Sequence, residues 1–103
     1  MAQRVTVVTG GMGGLGEAVC AKLAKIGYKV VATYSPGNKK WGDWLAGMKK
    51  QGYDFHAAEV DVADYESCRR AVAHIQSEVG PIDVLVNNAG ITRDTTFRKM
   101  EKA

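Results

Sequence analysis

Thr9-Gly10-Gly11-Met12-Gly13-Gly14-Leu15-Gly16 follows the apolar, β-branched run Val5-Thr6-Val7-Val8. It opens a stretch in which Leu15, Ala18, Val19, Leu23 and Ile26 recur at helical spacing. The order is strand, glycine turn, helix. Glycine opens backbone angles closed to other residues and lets the main chain approach a ligand, while the free N–H groups at a helix start can bond phosphate oxygens. The stretch therefore predicts a phosphate cradle at the head of the first helix, whereas the glycines alone would also suit a plain tight turn.

Outward from this motif the chain alternates strands and helices. A first strand is expected over about residues 4–9 and a helix over 14–26, stopped by Gly27 as a left-handed cap. Residues 29–34 read as a second strand, and Ser35-Pro36-Gly37-Asn38 as the loop after it. Trp41, Trp44, Leu45 and Met48 mark a short helix whose spacing suits core or interface. A third strand follows over about 53–60, then a helix over 65–79 with Asp64 as N-cap and Cys68, Val72, Ile75 and Val79 on its buried face. Gly80-Pro81 leads into a fourth strand over 82–87, whose Val84-Leu85-Val86 run is continuous enough to be covered on both faces. The fold class is α/β: a parallel sheet of four strands in the order 3-2-1-4, with right-handed crossovers and helices on both faces.

Composition narrows the function classes. The 103 residues suffice for one small core but not for two domains, and 46% hydrophobic with 24% charged residues is ordinary for a soluble globular domain. There is no internal repeat or low-complexity segment. No stretch approaches the length of apolar chain that crosses a bilayer, and Met1-Ala2-Gln3-Arg4 runs into a strand without a signal-peptide core, so the chain is expected in the cytoplasm, off the membrane. The net charge of +3 is spread along the surface with no nucleic-acid motif behind it. Cys20 and Cys68 lie far apart without metal-ligand spacing and read as reduced structural thiols. His56 and His74 have no Ser or Cys partner in a recognisable arrangement, and no metal is expected.

The glycine spacing, Gly10, Gly14 and Gly16, differs from the common G-x-G-x-x-G fingerprint. Together with Asn87-Asn88-Ala89-Gly90 at the end of a later strand, it resembles the short-chain dehydrogenase/reductase family. The resemblance covers nearly the whole chain. It implies a Rossmann-type sheet, here partial, and a single truncated dinucleotide-binding domain over 1–103, the amino-terminal half of a reductase. The family's active-site Ser and Tyr-x-x-x-Lys fall in the half not present, so no catalytic residue is expected in this chain.

By the same resemblance, the cofactor positions are Gly10, Met12, Gly13, Gly14, Leu15 and Gly16 at the phosphates, with Asp61 and Val62 at the adenine. Asn88, Ala89, Gly90 and Ile91 line the adenine ribose side. Asp61 suits a cap as well, although Asp64 fits that role better, and Asp94 stands either at the substrate side or as a loop-capping carboxylate.

A site that prefers NAD carries an acid about 18 to 20 residues past the glycines, bonding the ribose hydroxyls and repelling a 2′-phosphate. That position falls near Tyr34, and no acid occurs from Gly27 until Asp43. Lys40, with Lys39 beside it, can reach a doubly negative phosphate, and Ser35 can add a hydroxyl donor. The expected cofactor is NADP, although the lysines also suit a solvated loop.

Ile91-Thr92-Arg93-Asp94 with Phe97-Arg98-Lys99-Met100 sharpens the likeness toward bacterial 3-oxoacyl thioester reductases, most closely the acetoacetyl-CoA reductases of polyhydroxyalkanoate synthesis. This implies an oxidoreductase acting on a small-molecule thioester and, at full length, a homo-oligomer, usually a tetramer. A 3-oxoacyl-[acyl carrier protein] reductase and a non-catalytic NADP-binding module are the alternatives.

Overall fold

Val5-Thr6-Val7-Val8 offers no polar face to water, and the computed structural model, which describes residues 3–88, buries all four in the interior of a sheet. This strand, β1 (Val5–Val8), pairs in parallel with β2 (Lys29–Tyr34) on one side and β4 (Ile82–Val86) on the other, while β3 (His56–Glu59) pairs outside β2. The order is β3-β2-β1-β4, as expected from the alternation of elements. The helices are α1 (Gly14–Lys25), α2 (Trp41–Lys50) and α3 (Tyr65–Glu78). Ala89, Gly90, Ile91 and Asp94 lie outside the described residues.

Alternation along β1 divides the core. Val5 and Val7 pack with Cys68, Ala71 and Ile75 of α3, whereas Val8 packs with Cys20 of α1 and Met48 of α2. Burying a side chain the size of Ile75 contributes about 1.5–3 kcal/mol, so α3 is held mainly by this face. Its start is fixed by Asp64, whose Oδ1 accepts the backbone N–H groups of Glu66 at 3.0 Å and Ser67 at 3.4 Å. Val72 and Val79 sit partly buried beside the same cluster. Gly27, at φ 103°, turns the chain out of α1 and back toward β2.

Three elements differ from the sequence reading. The third strand is shorter than 53–60, because Tyr53 and Phe55 stack on each other and Phe55 stacks on Trp44, while the Tyr53 N–H donates to Met48 O. These aromatics close the turn from α2, and pairing with β2 begins only at His56.

The apolar stripe of α1 is also rotated, so that of its five positions Val19 and Leu23 pack against the core and the other three do not. Leu15 and Ile26 are exposed at 71% and 60%, Ala18 is exposed too, and the sheet-facing line runs through Gly16 and Cys20 to Leu23 and Ala24. A helix can come this close to the sheet only where its inner face starts with a residue lacking a side chain. In β4, finally, Val84, Leu85 and Val86 are half-buried and not fully covered, since that strand is one of the two edges of the sheet among the described residues.

Both cysteines are free and fully buried, in accord with structural thiols. Burial, reinforced by Glu17, pushes the Cys20 thiol up to about 12, and burial with Asp61 and Asp64 raises Cys68. A thiol held above its unfolded value keeps its proton longer in the folded state. Its stabilising contribution is complete below the ordinary thiol value of 9.0 and is lost as pH climbs toward about 12. The protein is therefore expected to leave both cysteines unlabelled by a thiol reagent at pH 8 until denaturant is added, and to melt at progressively lower temperature above pH 9. Rapid labelling of the native protein, or a melting temperature flat across that window, would contradict the burial described.

Candidate functional site

The carboxyl ends of the strands open onto one cleft of about 650 Å³, the place where ligands gather in parallel sheets. Its walls are the turn residues Gly10 and 12–16, then Thr33, Tyr34, Ser35 and Asn38 past β2, Val60, Asp61 and Val62 past β3, and Asn88 past β4. Sequence-distant segments thus converge at one end of the sheet.

The turn is shaped by close backbone approach. Gly10 adopts φ 63°, and its N–H donates to Thr33 Oγ1 at 3.2 Å, while the Gly11 N–H donates to Thr33 O at 3.2 Å. A Cβ on Gly11 would lie 2.8 Å from Ala32 Cβ. At Gly16 a Cβ would overlap Gly10 O and lie 2.8 Å from both Asn88 Nδ2 and Gly11 Cα. Packing alone therefore demands glycine at 11 and 16.

Gly13 and Gly14 are different. A Cβ on Gly13 would meet only Gly10 O, at 3.7 Å, and one on Gly14 would meet nothing within 4 Å. These two glycines leave room at the cleft wall that the protein itself does not fill.

The same wall carries the start of α1. Its N-cap, Gly13, has no side-chain cap, and the first helical bond runs from the Glu17 N–H to Gly13 O at 2.7 Å. The N–H groups of Gly14, Leu15 and Gly16 precede that bond and so have no acceptor within the helix. With the positive end of the helix dipole behind them, they suit an anion.

Asn88 ties this turn to β4. Its N–H donates to Thr9 Oγ1 at 2.9 Å, its Nδ2 donates to Gly10 O at 3.2 Å, and the Thr9 hydroxyl in turn donates to Val86 O at 3.3 Å. At the far wall, Tyr34 stacks on Trp41, and burial followed by the nearby Glu59 charge pushes its phenol above the usual tyrosine value. Of the described lining residues Asp61 alone carries a carboxylate, and its Oδ1 already accepts the Ala63 N–H at 3.1 Å. Asp61 thus closes a local turn at the cleft wall, and the helix cap falls to Asp64, which accepts from the first turn of α3.

Gly10, Met12, Gly13, Gly14, Leu15, Gly16, Ser35, Asp61, Val62 and Asn88 are brought together. Lys40 is not among the lining residues; it is exposed at the start of α2, where its N–H donates to Asn38 Oδ1 at 2.8 Å. Sequence reading missed Asn38, Thr33 and Val60. Asn38 sits in a Pro-Gly-Asn turn that signals only a loop, and its Nδ2 reaches back to Met12 Sδ at 3.9 Å. His56 is half-buried in β3 and His74 is exposed on α3. Among the described residues no cluster of His, Cys, Asp and Glu could hold a metal ion, and no helix is long and apolar enough to cross a membrane.

Comparison with known proteins agrees with this geometry. The model of the short chain dehydrogenase family matches residues 4–103. The acetoacetyl-CoA reductase of Cupriavidus necator is 52% identical over the whole chain, and nodulation protein G of Azospirillum brasilense is 50% identical over the same 103 residues. The chain spans 42% of the length of each. Among solved structures, the F189W actinorhodin polyketide ketoreductase with NADPH superposes at a TM-score of 0.77 with 30% identity, over 86% of this chain and 34% of that one. A Rossmann-type sheet, an uncapped helix facing a glycine-walled cleft and a family match over nearly every residue lead to one conclusion: the chain belongs to the short-chain dehydrogenase family.

Proposed function

We propose that these residues form the NADP-binding part of an oxidoreductase that reduces acetoacetyl-CoA, or a similar 3-oxoacyl thioester, to the 3-hydroxyacyl form. The observation that carries the reading is the wall made by Gly13, Gly14 and the uncapped start of α1. It combines free N–H donors with space that no protein atom fills. A cleft of about 650 Å³ is also of the size in which cofactors bind.

In this reading the pyrophosphate bonds the N–H groups of Gly14, Leu15 and Gly16, with Met12 and Gly13 beside it. The adenine lies by Asp61 and Val62, and Asn88 with Ala89, Gly90 and Ile91 flanks its ribose. Ser35 and Lys40 receive the 2′-phosphate, and the absence of an acid at Tyr34 removes the repulsion that would exclude it. Lys40 is the last residue of the loop, directly before α2, and carries its charge on a long flexible stem. Asp94 is placed on the substrate side.

When bound, the nicotinamide supplies the hydride that reduces the 3-keto carbon. This chain's own residues bind and orient; none supplies the proton. Tyr28, Tyr34, Tyr53 and Tyr65 all lack a lysine four residues on. By the family resemblance the proton donor is a Tyr-x-x-x-Lys, a pattern these tyrosines do not match, in a protein that works in the cytoplasm as a homo-oligomer. The likeness to acetoacetyl-CoA reductase supports the choice of substrate.

Three outcomes test the reading. Gly14→Val should leave the melting temperature nearly unchanged while weakening NADPH binding about tenfold or more, whereas Gly16→Val should destabilise the fold by about 1–3 kcal/mol through overpacking. Calorimetry and thermal melts on the two variants separate these effects, and a Gly14 variant that binds normally would remove the cradle from consideration. Titration of the intact protein should give tighter binding of NADPH than of NADH, with Lys40→Glu narrowing the gap; equal affinities would sink the choice of cofactor. Finally, a purified polypeptide of these 103 residues should oxidise no NADPH on addition of acetoacetyl-CoA, because it lacks the groups that would stabilise the transition state. Measurable turnover would overturn that assignment of the proton donor.

A further inference from the structure

The loop over 35–40 is closed at its base by two aromatic rings. Tyr34, the last residue of β2, and Trp41, the first of α2, stack with centroids 5.0 Å apart and planes 8° from parallel. Inside the loop the Asn38 N–H donates to Ser35 O at 3.0 Å and the Lys40 N–H donates to Asn38 Oδ1 at 2.8 Å. Asn38 Nδ2, meeting Met12 Sδ at 3.9 Å, connects the loop to the glycine turn across the cleft. Trp41 itself belongs to neither core cluster and is 39% exposed, so its indole is spent on this stack and not on the interior.

We propose that Trp41 is a positioning residue for cofactor choice: by stacking on Tyr34 it pre-forms the loop in the shape from which Ser35 and Lys40 receive a 2′-phosphate. The proposal rests on the NADP reading above. Ordering six loop residues at the moment of binding would cost conformational entropy, and a loop already closed at its base has lost part of that freedom beforehand. Only a ligand that uses the loop gains from this. A nucleotide without the 2′-phosphate relies chiefly on the glycine turn and on the β3 and β4 ends, so its affinity depends less on the indole.

The clean comparison is between adenosine 2′,5′-bisphosphate and adenosine 5′-monophosphate, which differ by the 2′-phosphate alone. Both are titrated calorimetrically into the intact protein and into its Trp41→Ala and Trp41→Phe variants. Trp41→Ala should weaken the bisphosphate about three- to tenfold, the range of an aromatic pair, and the monophosphate less than about twofold. Trp41→Phe, which keeps a ring in the stack, should restore most of the loss. Equal weakening of both nucleotides, no weakening of either, or a Phe variant as weak as the Ala variant overturns the positioning role. If the unsubstituted protein binds the bisphosphate no tighter than the monophosphate, the NADP reading itself falls and takes this role with it. That failure is read on the unsubstituted protein and is distinct from the others.

Discussion

Backbone contact at the head of α1 is the constraint on which the rest depends. Gly16 lies so close to Gly10 O and Gly11 Cα that no side chain fits, and Asn88 Nδ2 holds that same carbonyl from the β4 side. Two chain segments that are distant in sequence, the glycine turn with the start of α1 and the end of β4, meet there through hydrogen bonds and close packing. Because the helix is pinned this tightly, its uncapped end opens onto the cleft. The N–H groups that a surface helix would leave to solvent become donors fixed in place.

Polar residues buried at this rim work in the same cause. Thr9 and Thr33 are both about 1% exposed, and their hydroxyls are spent on holding the turn: Thr33 accepts from Gly10, while Thr9 accepts from Asn88 and donates to Val86. A buried hydroxyl without a partner would cost about 1–3 kcal/mol, so these threonines serve the rim better than valines of similar shape would. Below the rim both faces of β1 are covered, with the Val5 and Val7 side given to α3 and the Val8 side to α1 and α2. The division between a polar clasp at the carboxyl end and apolar layers beneath separates binding from stability within one domain.

The α2 region links the two. Trp44 Nε1 donates to Glu17 Oε1 at 2.7 Å, joining α2 to the first turn of α1, while its ring stacks on Phe55. With Trp41 stacked on Tyr34, α2 is anchored to β2 at one end and to α1 and the α2–β3 turn through its middle. The loop over 35–40 therefore hangs between rigid supports.

The alternation of elements, the sheet order and the glycine turn were legible from 103 residues because they depend on local pattern: β-branched runs, helical spacing, caps such as Asp64 and Gly27, and a turn that only glycine can make. Which face of α1 is buried was legible only in part. Periodicity pointed to Leu15, Ala18, Val19, Leu23 and Ile26; Val19 and Leu23 do pack against the core, but Leu15, Ala18 and Ile26 are exposed, because the close approach at Gly16 and Cys20 sets the line that meets the sheet.

The shortened β3 has the same origin, as Tyr53 and Phe55 find better partners in each other and in Trp44 than in the edge of β2. Asn38 against Met12 and Trp41 on Tyr34 are likewise side-chain contacts that neither periodicity nor turn chemistry fixes, and the same holds for the position of Lys40 outside the cleft lining. Local backbone chemistry is written residue by residue along the chain and determined where each element starts and what turn follows it. Only the tertiary structure decided which side chains share a wall, because that depends on how near two elements can approach once the bulk of every residue between them is in place.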